Sequence, residues 1–187
     1  RMIGFDAIPS DENIFGEYRY EQPDPEAIIE PIRSTLAGFG FHQIYSNSLQ
    51  NKQVSRISGK TSVKMMNPLN REMAYLRTTL LPGLMKASDF NIKNGTSSFR
   101  LFECGNIHEQ TSDGIEGIHE YRYLAGIILG DEKSISIHAD ASEEDLFTLK
   151  GYIFGLFNSK FRMKVELKRE EHLGFDYSQT ILINRQN

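Results

Sequence analysis

The sequence predicts an α+β fold, an antiparallel sheet flanked by helices. Three observations carry that reading. Apolar side chains recur at three- or four-residue intervals in two separate stretches, 28–36 and 146–157, and a third stretch opened by Pro82 carries Leu84, Met85 and Phe90. Two other stretches, Phe99 to Glu103 and Met163 to Lys168, alternate between two faces as strands do. The order runs helix, strand, strand, helix, strand, strand, helix, strand, strand, and strands that follow one another without a helix between them favour antiparallel pairing.

The first 23 residues hold Gly4, Pro9, Gly16 and Pro23 among scattered charges and read as a linker. A folded domain is expected over 24–187. Asp24-Pro25-Glu26 supplies a cap, a proline suited to the first helical position and an acid at the positive end of the dipole. Ile28, Ile32 and Leu36 follow on one face, up to Gly38 and Gly40. Phe41 to Leu49 has no helical period and reads as the first strand. Residues 50–64 are polar and loop-like, and Asn67-Pro68 marks a turn.

Tyr75-Leu76-Arg77-Thr78-Thr79 is a short strand in this reading. Pro82 begins a second helix carrying Leu84, Met85 and Phe90, which Asn94-Gly95 stops. Phe99 to Glu103 places Phe99, Leu101 and Glu103 on one face and Arg100 and Phe102 on the other. A loop rich in glycine and acids is expected over roughly 105–119. Tyr123 to Leu129 then reads as a strand inside a sheet. Ser142-Glu143-Glu144-Asp145 caps a third helix bearing Leu146, Leu149, Ile153, Phe154 and Phe157. Met163, Val165 and Leu167 alternate with Lys164, Glu166 and Lys168, and a last strand is expected over 178–184.

With 187 residues, 39% hydrophobic and 25% charged, the chain can bury one good core. Both ends read as cuts, since Arg1 precedes the first Met and the chain stops at Asn187, shortly after the apolar run Thr180-Ile181-Leu182-Ile183. No apolar stretch reaches the roughly 18 residues of a membrane span, so no membrane partner is expected. A single cysteine, Cys104, fits a reducing cytoplasm. The net charge of -4 hides an uneven distribution. Residues 1–31 hold eight acids and two bases, whereas 52–100 hold nine bases (Lys52, Arg56, Lys60, Lys64, Arg71, Arg77, Lys86, Lys93, Arg100) and two acids.

Five histidines (42, 108, 119, 138, 172) show neither His-x-x-x-His nor Cys-x-x-Cys spacing, so no metal site is expected. Cys104 with His108 could suggest nucleophile and base, but a half-buried strand cysteine is ordinarily inert packing. Asn94-Gly95-Thr96 is a formal glycosylation sequon that also serves as a helix stop. Gly38-Phe39-Gly40 lacks the preceding strand of a phosphate loop. The basic stretch can contact a phosphate backbone or merely solvate a surface. Arg77 and Arg100, between apolar neighbours on expected strands, should pair with acids.

The run Asn67-Pro-Leu-Asn-Arg-Glu-Met-Ala-Tyr-Leu-Arg-Thr-Thr-Leu-Leu-Pro-Gly-Leu-Met-Lys86, followed by Phe99-Arg-Leu-Phe-Glu-Cys-Gly105, resembles the beta subunit of bacterial phenylalanyl-tRNA synthetase. Arg1 to Pro9 resembles the exit from the preceding domain of that subunit, and Leu149-Lys150-Gly151 a later landmark. The resemblance implies a class II aminoacyl-tRNA synthetase-like fold in an α2β2 assembly. Phenylalanyl-tRNA synthetase alpha subunits would then be the partners, with tRNA(Phe), ATP and magnesium belonging to the holoenzyme and none of them held as a cofactor by this segment. The family's magnesium carboxylates would lie just before Arg1.

In the class II plan a helix leading into a strand builds the subunit interface, and residues 25–49 resemble it in order and length. Ile28, Ile32 and Leu36 are therefore interface candidates, with packing on the chain's own sheet as the plainer role. Active members carry an aromatic-Arg-x-acid strand that grips ATP. Here Phe99-Arg100-Leu101-Phe102-Glu103 has one residue too many, which sends Arg100 and Glu103 to opposite faces. A glycine-rich third motif ending in arginine is not seen, Gly174-Phe175-Asp176 being too sparse. The expected function is a non-catalytic structural and assembly domain supporting phenylalanine attachment to tRNA by the alpha subunit. A divergent class II-like ligase domain and a tRNA-binding module using 52–100 are the alternatives.

Overall fold

A computed structural model describes residue 16 and residues 26–132, 142–143, 145–170 and 178–185. Apart from Gly16, the expected linker lies outside the described residues, as do Asp24, Pro25 and the segment Gly174-Phe175-Asp176.

Helix α1 spans Ile29–Gly38, after a turn in which the Glu26 carbonyl accepts from the amides of Ile29 and Glu30. It buries Ile29 and Leu36. The strand expected over 41–49 is instead two short pieces, β1 at His42–Gln43 and β2 at Leu49–Gln50. Between them the backbone leaves the sheet after the Ile44 amide donates to the Phe102 carbonyl. The loop to residue 74 contains two 3-10 turns, Val54–Arg56 and Arg71–Met73. Strand β3 is only Tyr75–Leu76 and pairs with β2. Helix α2, Leu81–Lys93, carries Pro82 in its first turn and is followed by Asn94 and then Gly95, whose φ of +85° suits a residue without Cβ.

Strand β4 spans Phe99–Gln110 and β5 spans Ile118–Leu129, paired over twelve positions from Phe99↔Leu129 to Gln110↔Ile118. The loop expected over 105–119 shrinks to 111–117, because Gly105 and Asn106 stay in the ladder. β1 lies on the other side of β4 and runs parallel to it, with His42 opposite Leu101, so this sheet is not wholly antiparallel. β5 is an edge strand in the order β1-β4-β5, and most of its residues are exposed, which corrects its placement inside a sheet.

Two-residue strands β6 (Asp131–Glu132) and β7 (Ser142–Glu143) pair with each other. Helix α3 spans Leu146–Phe154, and its cap is Asp145 rather than Ser142: the Asp145 carboxylate accepts from the Thr148 amide at 2.8 Å. A wider π turn, Gly155–Lys160, extends it. Strands β8 (Met163–Arg169) and β9 (Gln179–Arg185) close the chain as an antiparallel hairpin resting on that turn.

The core has two layers. On one face of β4, Phe102 joins Leu36, Phe41 and Leu156, with Ile32, Phe39, Cys104 and Tyr152 packed around them. The opposite face carries Leu101, Glu103 and Ile107, all buried, and meets α2 and the approach from β3.

Candidate functional site

The alternation of β4 sets its chemistry. Glu103, 1% exposed, points to the α2 side. Its Oε1 accepts from Arg77 Nη1 at 2.6 Å and from the Ser46 amide at 3.2 Å, and its Oε2 accepts from the Ser46 hydroxyl at 2.7 Å. Arg77, 3% exposed, also donates from Nε to the Asn106 carbonyl at 2.8 Å and from Nη1 to Ser46 Oγ at 3.0 Å. A buried ion pair survives in a low dielectric only when other hydrogen bonds support it, and here Nε and Nη1 of Arg77 and both oxygens of Glu103 are engaged. Two glycines make the room. A Cβ on Gly105 would stand 2.3 Å from Arg77 Nη2, and one on Gly83 would stand 2.2 Å from Ser46 Oγ.

The neighbouring Thr78 is also buried. Its Oγ1 donates to the Ser55 carbonyl at 2.8 Å and accepts from Ser58 Oγ at 2.7 Å. The Leu-Arg-Thr-Thr-Leu-Leu-Pro-Gly run is thus a structural block, with Leu80 and Leu84 at 2% and 0% exposure completing it.

Arg100 lies on the other face of β4. It donates to the Phe39 carbonyl at 2.9 Å, and its guanidinium stands 5.1 Å from the Tyr152 ring centre. Arg100 and Glu103 therefore serve different layers. Of the interface candidates, Leu36 is 7% exposed and Ile32 packs against the same cluster, whereas Ile28 is 66% exposed and free to meet another surface.

Cys104 packs beside that cluster, and burial pushes its thiol up against the lowering influence of Arg33 and Arg122. His108 lies four residues further along β4, about 13 Å away at strand spacing, with Nε2 3.4 Å from Glu120. The two cannot act as nucleophile and base together. Among the described residues no group of three or more His, Cys, Asp or Glu side chains is placed to hold a metal ion.

Of the basic stretch, Lys60 pairs with Glu109 at 2.7 Å and Lys93 with Asp89 at 2.6 Å. Glu109 draws the Lys60 ammonium above its usual range through that hydrogen bond. Lys52, Arg56, Lys64, Arg71 and Lys86 are exposed and have no ion pair among the described residues. Beneath α2 and beside the 44–51 segment lies an open cleft of about 620 Å³, lined by Tyr45, Asn51, Glu72, Pro82, Lys86 and Phe90 among others. Sequence reasoning placed Tyr45 in a strand and Phe90 on a packed helix face, yet both rings are largely exposed, at 76% and 67%. Ser46 was missed as well. Its one signal was the polar triplet Ser46-Asn47-Ser48 near the end of an expected strand.

The profile of the phenylalanyl tRNA synthetase beta chain CLM domain matches residues 16–187. The phenylalanine–tRNA ligase beta subunit of Staphylococcus haemolyticus is 29% identical over 157 residues, covering 82% of this chain and 20% of the relative. That of Listeria monocytogenes is 31% identical over 152 residues, covering 76% of this chain and 19% of its own length. The chain thus spans about a fifth of the curated relatives it matches. Among solved structures, a pyrrolysyl tRNA synthetase from Desulfitobacterium hafniense aligns with TM-score 0.59 and 18% identity, over 84% of this chain and 53% of the other. An ATP phosphoribosyltransferase regulatory subunit/histidyl-tRNA synthetase from Bacillus halodurans aligns with TM-score 0.56 and 13% identity, over 87% and 42%. At such identities the likeness speaks to the fold alone, which is class II aminoacyl-tRNA synthetase-like. The match over nearly the whole chain settles the family: this chain belongs to the phenylalanyl-tRNA synthetase beta chain CLM domains.

Proposed function

We propose that the chain is a non-catalytic structural and assembly domain of a phenylalanyl-tRNA synthetase beta subunit, holding the alpha subunit in an α2β2 arrangement in which the alpha subunit attaches phenylalanine to tRNA. The observation that carries this reading is the saturation of Glu103. Its carboxylate, the one buried acid among the described residues, is taken up by Arg77 and Ser46, and the Arg100 guanidinium is engaged on the opposite face of β4. Neither group is presented to a nucleotide. ATP and magnesium belong to the holoenzyme in this proposal, and the chain's own residues contribute the sheet and an exposed apolar side chain, Ile28, just ahead of α1.

Calorimetric titration of the domain with ATP and magnesium, and separately with phenylalanine, tests it. No binding heat is expected from either ligand. Micromolar affinity for either one would overturn the reading in favour of a divergent ligase domain.

A further inference from the structure

We propose that the cleft beneath α2 is a docking site for an uncharged anchor, an aromatic or long aliphatic side chain, presented by the alpha subunit. The proposal rests on the assembly role and adds a second contact to it, since Ile28 belongs to the α1 layer and the cleft to the α2 layer. The walls decide the chemistry. Leu49, Val54, Met73 and Ala87 line the cleft, and charge enters only through Lys86 and Glu72, one of each sign. A lone cation cannot follow a phosphate backbone, so the lining does not suit a polyanion. A lining poor in charge, with aromatic and methionine side chains among apolar ones, is instead the composition found at the centre of a protein interface.

Tyr45 and Phe90 line the cleft while keeping 76% and 67% of their surface in solvent. The Met65 amide donates to the Ala74 carbonyl at 2.9 Å, closing a loop over 66–73 whose last two residues, Glu72 and Met73, are part of the cleft wall. A 2.9 Å hydrogen bond from Asn51 Nδ2 to Glu72 Oε2 ties that loop to the 44–51 segment. Met66 and Leu69 stand on the same loop, 95% and 88% exposed. At about 200 Å² for a large apolar residue, these four side chains offer roughly 650 Å², most of the ~800 Å² that a stable interface takes from each partner. A helix and a hydrogen-bonded loop already hold the walls, so docking requires little ordering of this side.

The test uses the full-length beta subunit that carries this domain, alone and with its alpha subunit. Hydroxyl-radical footprinting should find Tyr45, Phe90 and Met66 reactive in beta alone and protected in the complex. The double variant Tyr45→Ala/Phe90→Ala should raise the Kd for alpha by at least about 30-fold, the loss of one interface hot spot. Both side chains are exposed and alanine is the better helix former at position 90, so the variant should melt at the wild-type temperature. Protection already present in beta alone would overturn the proposal, assigning the cleft to another domain of the same subunit or to a second copy. A complex in which the rings stay reactive would overturn it too, as would an unchanged Kd in the double variant. Failure of wild-type beta to bind alpha at all would overturn the assembly role itself, and this contact with it.

Discussion

Replacing Glu103 by Gln removes one charge from the buried network and leaves its shape. The side chains of Arg77 and Glu103 are 4% and 2% exposed, so the guanidinium left behind cannot recover its charge partner from water. Breaking a buried pair from one side costs about 3–5 kcal/mol. The carbonyls of Asn106 and Ser46 remain as acceptors for Arg77, at 2.8 and 3.4 Å, which places the expected loss near the lower end, about 3 kcal/mol. For a chain of this length each kcal/mol lowers the melting temperature by about 2–4 °C, giving a fall of about 6–12 °C. Urea unfolding with an unchanged m-value, together with calorimetric melting, measures it. The double variant Arg77→Met/Glu103→Leu removes both charges, leaving mainly the unpaired Ser46 groups, at about 1–3 kcal/mol. It should therefore lose much less than the two single variants summed. A loss under about 1 kcal/mol for Glu103→Gln at constant m would refute the reasoning, since it would mean that the guanidinium is not short of a counter-charge.

Gly105→Ala would drive a methyl into Arg77 Nη2 and should cost roughly 1–3 kcal/mol, read by the same unfolding assay. Burial disfavours the Cys104 thiolate, so alkylation of the folded domain should be much slower than of a free thiol at neutral pH and should climb with pH only beyond the ordinary thiol range; rapid labelling in native buffer contradicts this. Hydrogen bonds from Thr148 hold the Asp145 carboxyl below the usual aspartate range. Its capping contribution is therefore complete above the unfolded value of about 3.9 and fades as pH falls through the lowered folded value, which hydrogen exchange at the Thr148 amide should report as protection lost only in strong acid. Ile28→Asp should leave the domain's melting temperature unchanged while reducing co-purification of the full-length subunit with the alpha subunit; intact co-purification removes Ile28 from the interface.

Elements with clean punctuation were legible before the structure. Pro82 and Gly95 bracket α2 because each has a backbone preference that few residues share. The β8–β9 hairpin follows from the strict alternation of Val165 and Leu167 with charged neighbours. Gly105 misled the reading, since glycine is ordinarily a strand breaker. In β4 it is the residue that lets the Arg77 guanidinium lie flat against the strand, a reason that exists only in three dimensions. The partner of Arg77 was foreseeable in kind, an acid, but not in identity, because Glu103 and Ser46 lie 26 and 31 positions away. The shortness of β1 was hidden for a similar cause: its chain turns off to deliver Ser46 to Glu103, and no local pattern announces such a target. The cleft was not legible at all, since the exposure of Tyr45 and Phe90 depends on what fails to cover them.

The two unlike faces of β4 also act on the folding chain as a proofreading device. A one-residue slip would turn Glu103 into the layer of Leu36, Phe41 and Leu156 and aim Phe102 at the buried guanidinium of Arg77, so both layers would reject the error together. A strand with one apolar and one solvated face penalises misregistration only once. Here the central strand is checked from above and below, and a twelve-pair hairpin that zips in the wrong phase finds no surface on which it can remain.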